Sequence, residues 1–159
     1  MAEHNGQKQP RRDDWIGWDH HWMEHAKQAA KPSKDPSTRV GCVIVNQKNR
    51  IVATGYNGFP QRIHDTTDRW QNRPVKYQYV IHAEENAMAN AVADLEGCTA
   101  YMTMAPCHNC MKMMIQRGII RIVCPPPDTL RWDDSHKLAR EMAAEAGLSW
   151  MEHFEGVPF

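Results

Sequence analysis

The stretch "CTAYMTMAPCHNCMKMMIQRGIIRIVC", Cys98 to Cys124, decides how this chain folds. Its opening, "CTAYMTM", reads as a strand. "CHNCMKMMIQRG" reads as a helix closed by Gly118, and "IIRIVC" as a second strand. A helix inserted between neighbouring strands makes a crossover, so the two strands run parallel. Downstream, "DDSHKLAREMAAEAG" reads as a helix with Gly147 as its C-cap, and "LSWMEHF" as a last short strand. Upstream, "RVGCVIVN" reads as a buried strand and "RIVATGYNG" as its hairpin partner across "QKN". A helix from about Ala83 to Leu95 separates that hairpin from the Cys98 strand. The first helix lies in "WIGWDHHWMEHAKQAAK", where Trp15, Trp18, Trp22 and Met23 recur at helical spacing and Asp13 or Asp14 can cap. "KPSKDPST" reads as a loop, "PPPDTLRW" as a rigid connection, and "FPQRIHDTTDRWQNRPVKYQY" as a long loop rich in turn formers and charge.

A hairpin followed by an alternating helix–strand series requires a mixed sheet. The expected architecture is α/β, a three-layer α/β/α sandwich around a mixed five-stranded sheet. Residues 14–159 read as a single domain and residues 1–13 as a flexible tail. The full length of 159 residues leaves room for a real core.

The formal net charge is zero, which argues against a polyanion-wrapping protein and against a nucleic acid polymer as partner. A small anionic ligand needs only one or two local arginines. No run of about 18 apolar residues suggests a membrane span, and the polar start lacks the apolar core of a secretion signal. A cytoplasmic location is the expectation. Five cysteines occur, an odd number that disfavours a disulfide framework. Cys42, Cys98 and Cys124 sit among apolar residues and read as core thiols. Cys107 and Cys110 form a Cys-x-x-Cys pair.

Two helix starts carry the chemistry: His82, in "YVIHAEENAMAN" (Tyr79 to Asn90), and Cys107, after "MTMAP". Both should begin at the same end of the sheet, where open α/β sheets hold ligands. Cys107 and Cys110, three apart, face one side of a helical turn whose dipole favours thiolate. Pro106 fixes the entry. Two thiolates and a neutral imidazole make a three-ligand zinc set with an open fourth position, the catalytic rather than the structural pattern. Zinc so held supplies Lewis acidity and draws the pKa of a water from about 16 to about 7. Alone, the Cys-x-x-Cys also fits a redox pair, and His82 alone fits an ordinary charged helix start. A structural zinc module would close the fourth position, and His108 is the nearby candidate. Lying between the two thiols, it should point away from them. His21 and His25, four apart in the first helix, read as face residues.

His-x-Glu at one helix start and Pro-Cys-x-x-Cys at the next resembles the cytidine deaminase superfamily. Beyond "HAEENA" and "APCHNC", the stretches "DDWIGW", "SKDPSTRVGCVIVNQKNRIVATGYNGFP" and "KYQYVIHAEENAMAN" resemble its deoxycytidylate (dCMP) deaminase branch. The resemblance runs from about Asp13 to the C-terminus. It implies hydrolytic deamination of dCMP to dUMP, a source of the dTMP precursor pool. His82, Cys107 and Cys110 match the ligands of one zinc ion per subunit, and Glu84 matches the glutamate that shuttles protons. Asn57 matches the sugar-contacting asparagine, and Ala83 the position whose backbone meets the pyrimidine edge. Ser37 to Arg39 lies where relatives hold the phosphate; charge singles out Arg39, because a guanidinium donates two parallel bonds to phosphate. Trp132 lies where relatives carry an aromatic near the substrate. The branch is commonly hexameric, activated by dCTP and inhibited by dTTP, with an allosteric site that includes the "GYNG" turn, here Gly55, Tyr56, Asn57 and Gly58. Relatives that hold a second, structural zinc carry extra cysteines in the loop after this turn, and this loop has none, so a single zinc is expected. Alternatives are a different or modified cytosine nucleotide or nucleobase as substrate, and a catalytically silent nucleotide-binding relative.

Helix geometry separates the two glutamates. Residues two apart are rotated by about 200°, so His82 and Glu84 reach one centre only if His82 sits at the non-helical edge of the turn. Glu85, rotated about 100° from Glu84, should face elsewhere.

Overall fold

A computed structural model of the chain describes residues 16–127 and 133–154. The expected N-terminal tail, Trp15 and Trp132 lie outside these residues, and the N-cap of α1 is Gly17 rather than the expected Asp13 or Asp14. The elements in chain order are α1 (Trp18–Ala30), β1 (Gly41–Val45), β2 (Ile51–Tyr56), α2 (Thr67–Gln71), α3 (Arg73–Tyr79), α4 (Ala83–Ala89), β3 (Thr99–Met102), α5 (His108–Gln116), β4 (Arg121–Cys124), α6 (Asp134–Glu145) and β5 (Ser149–Glu152).

The five strands form one mixed sheet in the order β2-β1-β3-β4-β5. β1 pairs antiparallel with β2 and with β3, while β3–β4 and β4–β5 are parallel. The hairpin closes where the Asn46 amide donates to the Arg50 carbonyl at 2.9 Å, with Asn49 in the left-handed region at φ 55°.

Side chains alternate across the sheet, and this alternation makes the three layers. Cys42 and Ile44 of β1, Ala100 and Met102 of β3, and Ile122 and Cys124 of β4 pack with residues of α4, α5 and α6. Val43, Val45, Tyr101 and Val123 face the other way, onto Trp22, Met23 and Ala26 of α1. Cys42, Cys98 and Cys124 are all buried, as core thiols. Asp19 ties α1 to the sheet, accepting from the Tyr101 hydroxyl at 2.7 Å and pairing with Arg121 at 2.5 Å.

Two glycines let helices lie directly on strands. A Cβ on Gly41 would come within 2.1 Å of the Ala26 carbonyl oxygen of α1. One on Gly55 would come within 2.3 Å of the Ala87 nitrogen and 2.4 Å of the Ala83 oxygen, both in α4. Backbone atoms cannot yield as a side-chain tip does. Gly55→Ala is therefore expected to cost about 1–3 kcal/mol, the usual penalty of overpacking, and to push α4 off β2. A thermal melt should show a lower Tm, and zinc retention should fall with it, because α4 begins at His82.

The fold departs from the sequence reading in two further places. α4 stops at Ala89 rather than near Leu95, because the Val92 amide donates to the Val52 carbonyl at 3.1 Å instead of continuing the helix. The long segment after "GYNG" is not all loop. Asn72 caps α3, its side chain accepting from the Val75 amide, and Pro74 occupies the first turn, where a missing N–H costs nothing. Phe59 stacks on Trp70 at 4.1 Å, Trp70 donates to Asp65, and Asp65 pairs with Lys34 at 2.5 Å.

Candidate active site

His82 and Cys107 are the N-cap residues of α4 and α5, both in extended backbone. His82 thus sits at the non-helical edge its role requires, and its ring reaches across to the start of α5. Its Nδ1 lies 3.5 Å from Cys107 Sγ and 3.4 Å from Cys110 Sγ. Tetrahedral zinc with bonds of about 2.05 Å to nitrogen and about 2.3 Å to sulfur places N and S about 3.6 Å apart. The three donors fit that ion, and among the described residues they are the one group of three metal-ligating side chains. Cys110→Ala is expected to take zinc content from one per chain to near zero, read by elemental analysis after dialysis against a weak chelator.

Without the metal charge, protons distribute unevenly over the cluster. The Cys110 thiol, opposed by burial and aided by His82, holds Cys107 down at about 3. Cys107 and burial push Cys110 far up, and His82 rises to about 9 beside the Cys107 thiolate. Binding a dication displaces these protons, so metal uptake and proton release are coupled. His108 points away, its Nδ1 2.7 Å from the Ser135 hydroxyl of α6.

The two glutamates have separate surroundings. Glu84 is only 4% exposed, and burial pushes its carboxyl up to about 7. Glu85 turns back over the helix start, where its carboxylate accepts from the His82 backbone N–H at 3.0 Å. It is the cap of the helix that carries the metal-binding histidine.

A cavity of about 610 Å³ opens over the cluster, within the usual range for a small-molecule site. Ala83, Glu84 and Cys107 line it. So do Ser37, Thr38 and Asn57 from the loops flanking the hairpin, Arg73, Lys76 and Tyr77 of α3, and Asp133, Ser135 and His136 at the start of α6. Ala83 and Glu84 are buried, whereas Ser37, Arg73, Tyr77 and Asp133 are exposed, so the cavity runs from a buried floor at α4 to a mouth shared by α3, the Ser37 loop and the start of α6.

One wall is set by a buried polar network. Asn57 Oδ1 accepts from the Ser33 hydroxyl at 2.9 Å and the Val40 amide at 2.8 Å. Its Nδ2 donates to Asp35 at 3.2 Å and to the Thr38 carbonyl at 3.0 Å. All four hydrogen-bonding positions of the amide are thus in use. Asp35 also accepts from the Ser37 and Thr38 amides and pairs with Lys76 at 2.7 Å. Burial raises the Asp35 pKa, but the Lys76 bond and the two amides more than offset it, leaving the carboxyl below its ordinary value.

The structure therefore brings together His82, Cys107 and Cys110, and sets Ala83, Glu84, Asn57 and Ser37 on the same cavity. Arg39 is exposed and does not line it. Gly55, Tyr56 and Gly58 lie outside the lining too; Gly58 bridges to Ile81 through paired backbone bonds of 3.2 and 2.9 Å. Arg73, Lys76, Tyr77, Asp133, Ser135 and His136 were not singled out by the sequence. The cap-and-proline signal at Asn72 and Pro74 is what could have placed the first three on a helix.

Known proteins are similar to this chain in sequence and in fold. Residues 16–125 match the family model of the cytidine and deoxycytidylate deaminase zinc-binding region. The human deoxycytidylate deaminase is 40% identical over 146 residues, covering 88% of this chain and 82% of the human protein. An uncharacterised deaminase in the luxG 3′ region of Aliivibrio fischeri is 40% identical over 139 residues, covering 84% of this chain and 93% of its own length. The fold matches a dCMP deaminase of cyanophage S-TIM5, crystallised in complex with dCMP and dUMP, with a TM-score of 0.67 at 24% identity over 84% of this chain and 95% of that one. With the match spanning both helix starts and all three donors, His82, Cys107 and Cys110, this chain belongs to the cytidine and deoxycytidylate deaminase zinc-binding family.

Proposed function

We propose that this protein is a zinc-dependent hydrolase that deaminates dCMP to dUMP and so feeds the dTMP precursor pool. The observation that carries the reading is a buried carboxyl, Glu84, lining the same cavity as His82 and Cys107 of the three-donor cluster. Zinc, when bound to His82, Cys107 and Cys110, supplies the Lewis acidity that makes water nucleophilic at neutral pH. Glu84 takes one proton from the attacking water and passes it to the ring nitrogen as the C–O bond forms at the amino-bearing carbon, then carries the remaining hydroxyl proton to the amino group as the C–N bond breaks and ammonia leaves, serving as base and then as acid. Burial, which raises the carboxyl's proton affinity, suits a group that must both take up and return a proton. The buried floor at Ala83 excludes bulk water and lets the Ala83 backbone meet the pyrimidine edge.

Asn57 is assigned the sugar, whose hydroxyl would replace the longest of its bonds, the one to Asp35 at 3.2 Å. Ser37, which lines the cavity, is assigned to the phosphate end, with Arg39 reaching toward it from outside the lining, and Trp132 to stacking on the base. The same reading makes the protein a cytoplasmic homohexamer activated by dCTP and inhibited by dTTP through Gly55 to Gly58. What supports this is the resemblance of the "GYNG" turn, together with the exposure of Tyr56. Among the described residues, no helix is long and apolar enough to cross a membrane.

The test is ammonia release from dCMP, deoxycytidine, 5-methyl-dCMP and guanine by the zinc-loaded protein. Turnover of dCMP far above the others supports the reading. Preference for another substrate, or no turnover with zinc bound, overturns it. A sigmoidal dCMP curve made hyperbolic by dCTP supports the regulatory part, and indifference to both triphosphates removes it.

A further inference from the structure

We propose that Arg73, braced by Tyr77, holds the substrate's 5′-phosphate at the cavity mouth and makes the enzyme prefer a nucleotide to its nucleoside. This rests on the reading of the substrate as a cytosine deoxynucleotide. The reacting ring must meet Glu84, which is buried at the floor. The phosphate is the far end of such a molecule, so it comes to rest on the exposed lining away from the metal cluster, formed by Ser37, Arg73, Tyr77 and Asp133, where Arg73 is the exposed cation.

The cations of the lining are not equally available. The Lys76 ammonium is buried and held by Asp35 at 2.7 Å. His82 belongs to the metal cluster. His136 Nδ1 is 2.9 Å from an Asp133 carboxylate oxygen. Arg73 has no carboxylate partner among the described residues. Its Nε donates to the Tyr77 hydroxyl at 2.9 Å, and its guanidinium carbon lies 5.8 Å from the centre of that ring.

This contact orients the clamp. With Nε spent on Tyr77, the two terminal nitrogens remain as a pair, the edge that bonds a phosphate in two-toothed fashion. The Tyr77 oxygen accepts from Arg73, which leaves its own hydrogen to donate to the same anion. A lysine at this position would supply charge without the paired geometry.

The experiment compares kcat/KM for dCMP and for deoxycytidine in wild type, Arg73→Gln, Arg73→Lys, Tyr77→Phe and Arg39→Gln, each checked for full zinc content. Arg73→Gln is expected to lower the dCMP value by about 10- to 100-fold, mostly through KM, the loss typical of charge-assisted bonds. Deoxycytidine should change less than about twofold, because it carries no phosphate for these charge-assisted bonds to engage. Arg73→Lys should recover part of the loss, and Tyr77→Phe should show a smaller loss for dCMP alone. An unchanged dCMP value in Arg73→Gln overturns the proposal. So does an equal loss for both substrates, or a nucleotide-selective loss in Arg39→Gln but not in Arg73→Gln. Should the wild type turn over no dCMP, the substrate reading fails. The clamp is then judged by calorimetric binding of deoxyribose 5-phosphate, which Arg73→Gln must weaken if the clamp is real and leave unchanged if it is not.

Discussion

Glu84→Gln is expected to lower kcat for dCMP by about 10²–10⁴-fold, the usual worth of a general acid–base group, while one zinc stays bound per chain. Glutamine keeps the shape of the side chain in a pocket that leaves Glu84 only 4% exposed, so folding should survive the change. It removes only the ability to take and return a proton. Glu85→Ala makes the contrast. Glu85 accepts from the His82 amide at 3.0 Å and has no place in the cavity lining. Its loss should cost about 1 kcal/mol of stability, as a lost helix cap does, and leave kcat within a few-fold of wild type. Steady-state rates with zinc analysis and a thermal melt separate the two outcomes. Loss of zinc in the first variant, or equal losses of activity in both, would reverse the assignment.

Lys76→Met is expected to destabilise the protein by about 3–5 kcal/mol, because it strands the buried Asp35 charge. The side chains are 8% and 5% exposed, so little solvent screens the loss. The double variant Asp35→Asn, Lys76→Met should recover much of it, since no unpaired charge remains. The dependence on pH gives an independent check. In wild type the Asp35 pKa is lowered by folding. Its contribution is present above the unfolded carboxyl pKa of about 3.9 and is lost as pH falls through the folded value. In Lys76→Met the Ser37, Thr38 and Asn57 amides still oppose burial, but the largest lowering contact is gone, so the Asp35 pKa lies above its wild-type value. The stability gap between variant and wild type should therefore narrow as pH falls through the carboxyl range, in denaturant melts at a series of pH values. Parallel curves for both proteins would show that the pair does not set the charge state of Asp35.

Much of this was legible in the sequence, for identifiable reasons. The mixed sheet, with its antiparallel hairpin and parallel pair, followed from the hairpin and from the helix between Cys98 and Cys124, because connections constrain strand direction. The metal cluster was legible because few residue types hold zinc and their spacing at helix starts is restrictive. The mouth was not. Arg39 was favoured on charge, yet no local pattern reports that its side chain is exposed and away from the lining. Arg73 and Tyr77 were hidden because turn formers and charge made residues 59–79 read as loop, with the Asn72 cap and Pro74 passed over. Glu85 was expected to face away from the metal, and its bond to His82 could be seen only once the backbone at His82 was known to be extended.

No residue of α3 belongs to either apolar cluster of the sheet layers. That helix is fastened instead by the ion pair of Lys76 with Asp35 and by the backbone link of Ile81 to Gly58. The metal cluster, by contrast, is rooted in the packed starts of α4 and α5. Reaction and recognition thus occupy parts of the chain with different mechanical support. Selection, or an engineer, can rebuild the entrance residue by residue for a new phosphate or sugar without disturbing the catalyst beneath, provided Lys76 and Asp35 are kept together.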